Sequence, residues 1–583
     1  MDITPTGAIP EPLGYSGGMP PASPAPAPHP AGFRFRPWMA GAGGAVVALG
    51  AIGALSASLL LKSGPGIDKM VPDNTGLYAT VYLDPSLPQK VNLLRMAHHF
   101  PDLHTDAQLT QKLNDSLDQA LKETGLTYSK DIAPWLGARI SSVTDFGIKP
   151  TTAVLFASKD DAAAGAALAK VRSSVPGKKL TWSTETYQGV TLSVGTNAGA
   201  TTVYALVDHT AVLADSDGIV RDIIDTDTGK RATLQSTADY IATVALLPSD
   251  RLVLAYVNGP ALVGMLKTEI SKQGLATTTP IPDSAWKELG AFRGMGLTLA
   301  AGTDGLTGDV EVKVDSTKLD AAGRAALTST RHNALLGWIP QRAFAVMATS
   351  GLKSSLQSGL DQAGTLDAST RDSLTQLGLL GPSGVVAHLT GDLAVEVESP
   401  APQQIGGAIL IGTTDPAGMQ IFLTKLGTIA EFAASSSVPG SGLAATPAQK
   451  SVYKGVTIVT FPVSGLNAPG IAPSFAVTNG IGIVASSPAE IHDLIDAHSS
   501  GTSIAQATNF AATRAATFAN PQSFLYVDVT ATASAILSYV PAAQRGSYDS
   551  QVAPNLAPVK AIMVASNGQP DRISERVFVL IPN

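Results

Sequence analysis

The 583-residue chain contains no cysteine. That absence excludes disulfide staples, thiol nucleophiles and thiolate-ligated zinc or iron–sulfur centres together, so the folded part must hold through its apolar core. Charge is sparse as well: 15% of residues are charged against 44% hydrophobic, and the formal net charge is −7. Without a basic patch, nucleic acid is not an expected partner. There is no GxSxG elbow, no Walker loop and no Rossmann glycine pattern after a strand, so no cofactor is expected and no motif names a catalytic residue.

What is present begins with an uncharged run, Trp38 to Leu61. At about 1.5 Å per helical residue it would reach roughly 36 Å, enough for a hydrocarbon core of about 30 Å. Thirty-seven residues precede it, and it is longer than the apolar region of a cleaved secretory signal. The expectation is a transmembrane helix over 37–62, with the bilayer as partner through 38–61. Arg34 and Arg36 before the run are matched by Lys62 and Lys69 after it. Orientation then rests on the large downstream part, which places the short tail in the cytoplasm and residues 71 onward outside. Ala40, Gly44 and Ala48 fall four apart, as do Gly50, Ala54 and Ser58; this spacing permits a homodimer, although small residues are abundant throughout. Residues 1–36 are dense in Pro, Gly, Ala and Ser and read as a disordered tail.

Downstream, the chain repeats itself. YQGVTLSV from Tyr187 returns as YKGVTIVT from Tyr453, and the strand 211–214 returns as 481–485. Each of those strands precedes a short amphipathic helix, one carrying Ile219, Ile223 and Ile224 and the other Ile491, Leu494 and Ile495. TTAVLFASKDDAAAGAALAKV from Thr151 matches GGAILIGTTDPAGMQIFLTKL from Gly406, where Asp415 and Pro416 form a helix start. The alternating strand around Val310 returns around Val577. These correspondences predict two halves, 71–335 and 336–583, the second a duplicate of the first. The fold class expected is α+β: one N-terminal transmembrane helix, then a tandemly duplicated ectodomain of largely antiparallel sheets with packed helices.

The anchor leading into MVPDNTGLYATVYLDPSLPQKVNLLRMAHHFPDL, followed by DIAPWLGARI from Asp131, resembles the membrane-anchored bacterial family catalogued as domain of unknown function 3352. The resemblance spans the anchor and Val71 to Asn583. It implies a cell-surface protein of unassigned activity and carries over no catalytic residues. On their own chemistry, Asp84 and Pro85 read as a helix start, and Trp135 before Gly137 as a core aromatic at a turn.

His98, His99 and His104, with Asp102 and Asp106, form the densest set of candidate metal ligands, and imidazole plus carboxylate suits zinc. Their spacing is not that of a HExxH helix, and surface histidines at a helix end are the competing reading. Asp215, Asp217, Asp225 and Asp227 resemble the opening of a calcium loop but lack its closing glutamate. Ser350 and Lys353 have Ser-x-x-Lys spacing without the SDN or KTG partners. The function these readings support is a single-pass cell-envelope protein of the cell membrane, with a noncatalytic ectodomain that binds or scaffolds an envelope protein, a glycan or a lipid. The alternative is an exported hydrolase whose site is assembled from residues distant in sequence.

Overall fold

A computed structural model describes residues 66–121, 126–174, 180–197, 200–272, 283–328, 333–362, 368–436, 444–445, 447–464 and 470–582. Among these residues no helix is long and apolar enough to cross a membrane. The expected fold class is corrected accordingly. An α+β fold of antiparallel strands with packed helices is present, but among the described residues no transmembrane helix belongs to it, and the single-pass, cell-membrane placement finds no support there. The apolar run 38–61 and the Pro-rich tail 1–36 lie outside the described residues.

Twenty strands form one continuous antiparallel sheet. The first ten are β1 (Thr75–Tyr82), β2 (Leu136–Asp145), β3 (Thr151–Ser158), β4 (Thr181–Tyr187), β5 (Val190–Asn197), β6 (Ala200–Val207), β7 (Thr210–Ala214), β8 (Val253–Asn258), β9 (Phe292–Ala301) and β10 (Gly305–Val314). The next ten are β11 (Ala345–Thr349), β12 (Leu389–Ala401), β13 (Gln404–Thr413), β14 (Gln449–Tyr453), β15 (Val456–Thr460), β16 (Ser474–Thr478), β17 (Ile481–Ala485), β18 (Ser523–Asp528), β19 (Ala561–Gln569) and β20 (Arg572–Leu580).

The first ten lie in the order 4-5-6-7-3-2-1-8-9-10. The second ten lie in the order 14-15-16-17-13-12-11-18-19-20. Each strand of the second set thus sits where its counterpart sits in the first. The two sets join edge to edge at β10 and β20, from Gly305 opposite Leu580 to Lys313 opposite Arg572. Arg576 Nε donates to Asp309 at 2.6 Å and Lys313 Nζ to Asp571 at 2.5 Å across this seam.

Local chemistry sets the repeated elements. The β4–β5 turn places Gln188 and Gly189 at φ of 50° and 84°, and the β14–β15 turn places Lys454 and Gly455 at 45° and 82°. Two successive residues at positive φ match the right-handed twist of a tight hairpin, which is why Gly recurs second. After β7 comes α1 (Asp217–Asp227), where Ser216 caps the first turn; after β17 comes α2 (Pro488–Ser500), where Ser487 accepts from Glu490 N. Tyr187 donates to Asp225 on α1, and Tyr453 donates to Asp496 on α2, each at 3.0 Å. The two helices cover the same face of the sheet, with Ile219, Ile223 and Ile224 buried in one core and Ile491, Leu494 and Ile495 in the other.

The opposite face differs between the two sets. Over β1 and β2 it is sealed by a core of Ala79, Val81, Leu117, Leu168 and Trp135, drawn in part from helices Asp106–Leu121 and Asp161–Ser174. Trp135 precedes Leu136, which opens β2; its counterpart before Leu389 on β12 is His388. In the second set a smaller cluster around Met419, Leu423 and Phe475 covers part of that face.

Candidate functional site

Strand β12 contains the run LAVEVES, in which Leu393, Val395 and Val397 alternate with Ala394, Glu396 and Glu398. Period-two alternation ordinarily puts the apolar set inside. Here the glutamates are inside: Glu396 and Glu398 point toward α2, and Glu490 from the first turn of α2 points back at them. Their relative exposures are 1%, 0% and 2%. One carboxylate oxygen from each lies within 4.8 Å of the others.

Each wall of this centre has a local cause. Glu396 is paired with Val346 on β11 and Ala408 on β13, in the middle of the sheet. Glu490 stands three residues after the Ser487 cap, a position from which a glutamate ordinarily reaches back to close a capping box. Gly406 makes room for it, since a Cβ there would collide with Glu490 Oε2. On the solvent side Arg342 Nη2 donates to Glu398 Oε1 at 2.5 Å and also to Asp493. Glu396 Oε1 and Oε2, Glu398 Oε2 and Glu490 Oε1 are buried without a hydrogen-bond partner.

Burying like charges together favours the protonated form. Burial, followed by the charge of Glu398, pushes the Glu396 carboxyl up to about 8. Burial, followed by the charges of Glu396 and Glu398, pushes Glu490 up to about 10. Near neutral pH both therefore hold protons. The first ten strands show what these positions look like without the carboxylates. At the node of Glu396, between Tyr78 and Ala153, stands Val143; three residues after the Ser216 cap stands Ile219. Both are core residues. The fold accepts an apolar pair here, so the glutamates are not demanded by packing. The counterpart of Glu398 is Asp145, whose carboxyl is raised by burial and then by Asp222. Arg231 pairs with Asp222 at 2.8 Å, as Arg342 does with Asp493.

The reverse side of the same strands presents apolar residues to solvent. Across the sheet Val577, Val564, Leu525, Met347, Val395, Ile409 and Val484 occupy successive registered positions. Leu525, Met347, Ile409 and Val484 are 46%, 42%, 41% and 36% exposed. The first-set counterparts of Met347 and Ile409, Ala79 and Val154, are buried.

The histidines singled out in the sequence lie elsewhere, and among the described residues they join no group of three or more potential metal ligands. His98 caps the helix Leu87–Ala97 and its Nε2 sits 3.3 Å from Asp106; His104 Nδ1 sits 2.8 Å from the His98 carbonyl, and His99 is exposed. Asp225 accepts from Tyr187 and Gln188, Asp215 from the Thr152 amide, and Asp217 pairs loosely with Arg221 at 3.6 Å. Lys353 Nζ donates to the Ala387 carbonyl. Ser86, not Asp84, caps the helix read at Asp84–Pro85. The glutamate centre escapes sequence reading because LAVEVES looks like an ordinary half-buried strand and Ser-Pro-Ala-Glu like an ordinary capping box. Two glutamates flanked by valines in a strand, opposite a glutamate in a helix's first turn, are the signal that was there to find.

A family model described as "Protein of unknown function (DUF3352)" matches residues 39–580. No curated protein matches the chain. Among solved structures, crystal form I of TP0453 is 8% identical with a TM-score of 0.24, covering 46% of this chain and 87% of that one. Crystal form III of TP0453 is 11% identical with a TM-score of 0.21, covering 46% and 90%.

Proposed function

The chain belongs to the family described as protein of unknown function DUF3352, and from that premise we propose that it is a noncatalytic binding protein whose second set of strands docks a protein partner. The observation that carries this reading is the apolar row through Leu525, Met347, Ile409 and Val484, open to solvent on one sheet face. Contiguous exposed apolar surface of this kind marks interaction sites. The partner's chemistry is suggested by the chain itself: over β1 and β2 the equivalent face is covered by amphipathic helices that bury Leu109, Leu117 and Leu168. The occupant of the open face is accordingly an amphipathic helix presented by another protein. The recurring strand order supports reading 71–335 and 336–583 as duplicates, one copy self-covered and the other left for a partner. A hydrolytic role gains nothing from the glutamates, because carboxylates at most 2% exposed are closed to a substrate.

Site-specific photocrosslinking in producing cells tests the reading. A photoreactive residue at 347 is expected to give a discrete polypeptide adduct that Leu525→Asp abolishes, and the same residue at exposed Ile241 is expected to give none. No polypeptide adduct at 347, or one indifferent to Leu525→Asp, would overturn it.

A further inference from the structure

We propose that Glu396, Glu398 and Glu490 form a binding site for one hard divalent cation of the calcium–magnesium class. The geometry meets the basic requirement. One oxygen from each carboxylate lies within 4.8 Å of the others, the widest separation that two ligands on opposite sides of a shared ion can have at calcium–oxygen distances of about 2.4 Å. Four carboxylate oxygens, both of Glu396, Oε2 of Glu398 and Oε1 of Glu490, are buried without a hydrogen-bond partner. Buried polar atoms left in that state are rare in folded proteins, and a cation is one of the few things that satisfies several at once. All four are carboxylate oxygens, which select calcium, magnesium or manganese over metals that prefer nitrogen or sulfur.

Charge points the same way. When ligating, three ionised carboxylates would carry more negative charge than the single guanidinium beside them can offset, since Arg342 is shared with Asp493. Arg342 is already engaged with Glu398 Oε1 and Asp493. It therefore fixes the outer edge of the site and leaves the inner oxygens free. Its side chain is 45% exposed, so it stands between the site and solvent. The duplicate positions supply the internal control, because Val143 and Ile219 occupy the nodes of Glu396 and Glu490 in the first set. That set has lost, or never had, the ligands while keeping the strand order.

The test uses the full chain, stripped with a chelator and titrated separately with calcium chloride and magnesium chloride by calorimetry. Expected is saturable binding of one ion per chain and a rise in unfolding temperature. Whichever salt binds more tightly identifies the resident class. Glu396→Val with Glu490→Ile, the pair the fold already accommodates, is expected to stay folded and lose at least tenfold in affinity; Glu396→Gln is expected to weaken binding without altering shape. Absence of binding by the wild-type chain up to millimolar salt overturns the proposal, as does equal binding by the double variant.

Discussion

At the scale of single residues, the carboxyl centre sets stability against pH in a direction that can be worked out. Glu396 and Glu490 have folded-state values of about 8 and about 10, above the ordinary 4.5. The folded chain therefore binds more protons than the unfolded one between those limits. Their contribution is fully present below about pH 4.5 and is lost as pH rises through 8 toward 10, at about 1.4 kcal/mol per pH unit for each proton. Chemical denaturation of the chelator-treated chain at pH 5, 7 and 9 is expected to show stability falling across this range. Glu396→Val with Glu490→Ile is expected to flatten the slope and, at pH 9, to stabilise by about 1–4 kcal/mol, as replacing buried charge with packed apolar groups does elsewhere. An unchanged slope would mean the two carboxyls are not buried together. Trp135, 2% exposed and packed edge-on to Phe156 at 6.1 Å, is a separate case: Trp135→Ala is expected to cost about 3–5 kcal/mol by the same measurement.

At the scale of elements, the two sets of strands make a matched experiment. Ala79 and Met347 hold equivalent places on β1 and β11, one covered and the other open. Ala79→Asp is expected to destabilise by several kcal/mol, because it buries an unpaired charge. Met347→Asp is expected to change stability by no more than about 0.5 kcal/mol while abolishing partner capture. Thermal unfolding of the two variants side by side distinguishes them, and equal destabilisation would show the second face to be covered. Much at this scale is legible in sequence. The Tyr187 and Tyr453 hairpins, the helix start at Asp415, whose side chain accepts from Gly418 N at 3.0 Å, and the Ile-bearing helices all announce themselves through turn chemistry and period. Which face of β12 turns inward does not. Alternation gives the period of a strand but not its phase, and at β12 the phase opposes the hydrophobic rule. Such conflicts between local pattern and global fold gather at functional positions.

At the scale of the whole molecule, the seam decides whether the chain behaves as one body. β10 and β20 are each the tenth strand of their set, so the join has the self-complementary geometry of a two-fold interface. Charge makes it directional: Asp309 meets Arg576, and Lys313 meets Asp571. Pairing β20 with another β20 about the same centre would oppose two copies of Arg576. Asp309→Arg is expected to split a single unfolding transition in calorimetry into two, and Asp309→Arg with Arg576→Asp to restore one. Two transitions in the double variant would mean that the ion pair is incidental to the join. The pairing that joins the two sets of strands into one sheet links residues more than 250 apart and leaves no local trace in the sequence.

The cysteine-free chain offers a direct test of the inverted strand phase on which both the carboxyl centre and the docking face depend. Single cysteines placed at Val346, Met347, Val395 and Glu396 can be timed for maleimide labelling in the native protein. Rapid labelling at 347 and 395 with protection at 346 and 396 is the predicted result; rapid labelling at 346 and 396 with protection at 347 and 395 would contradict it.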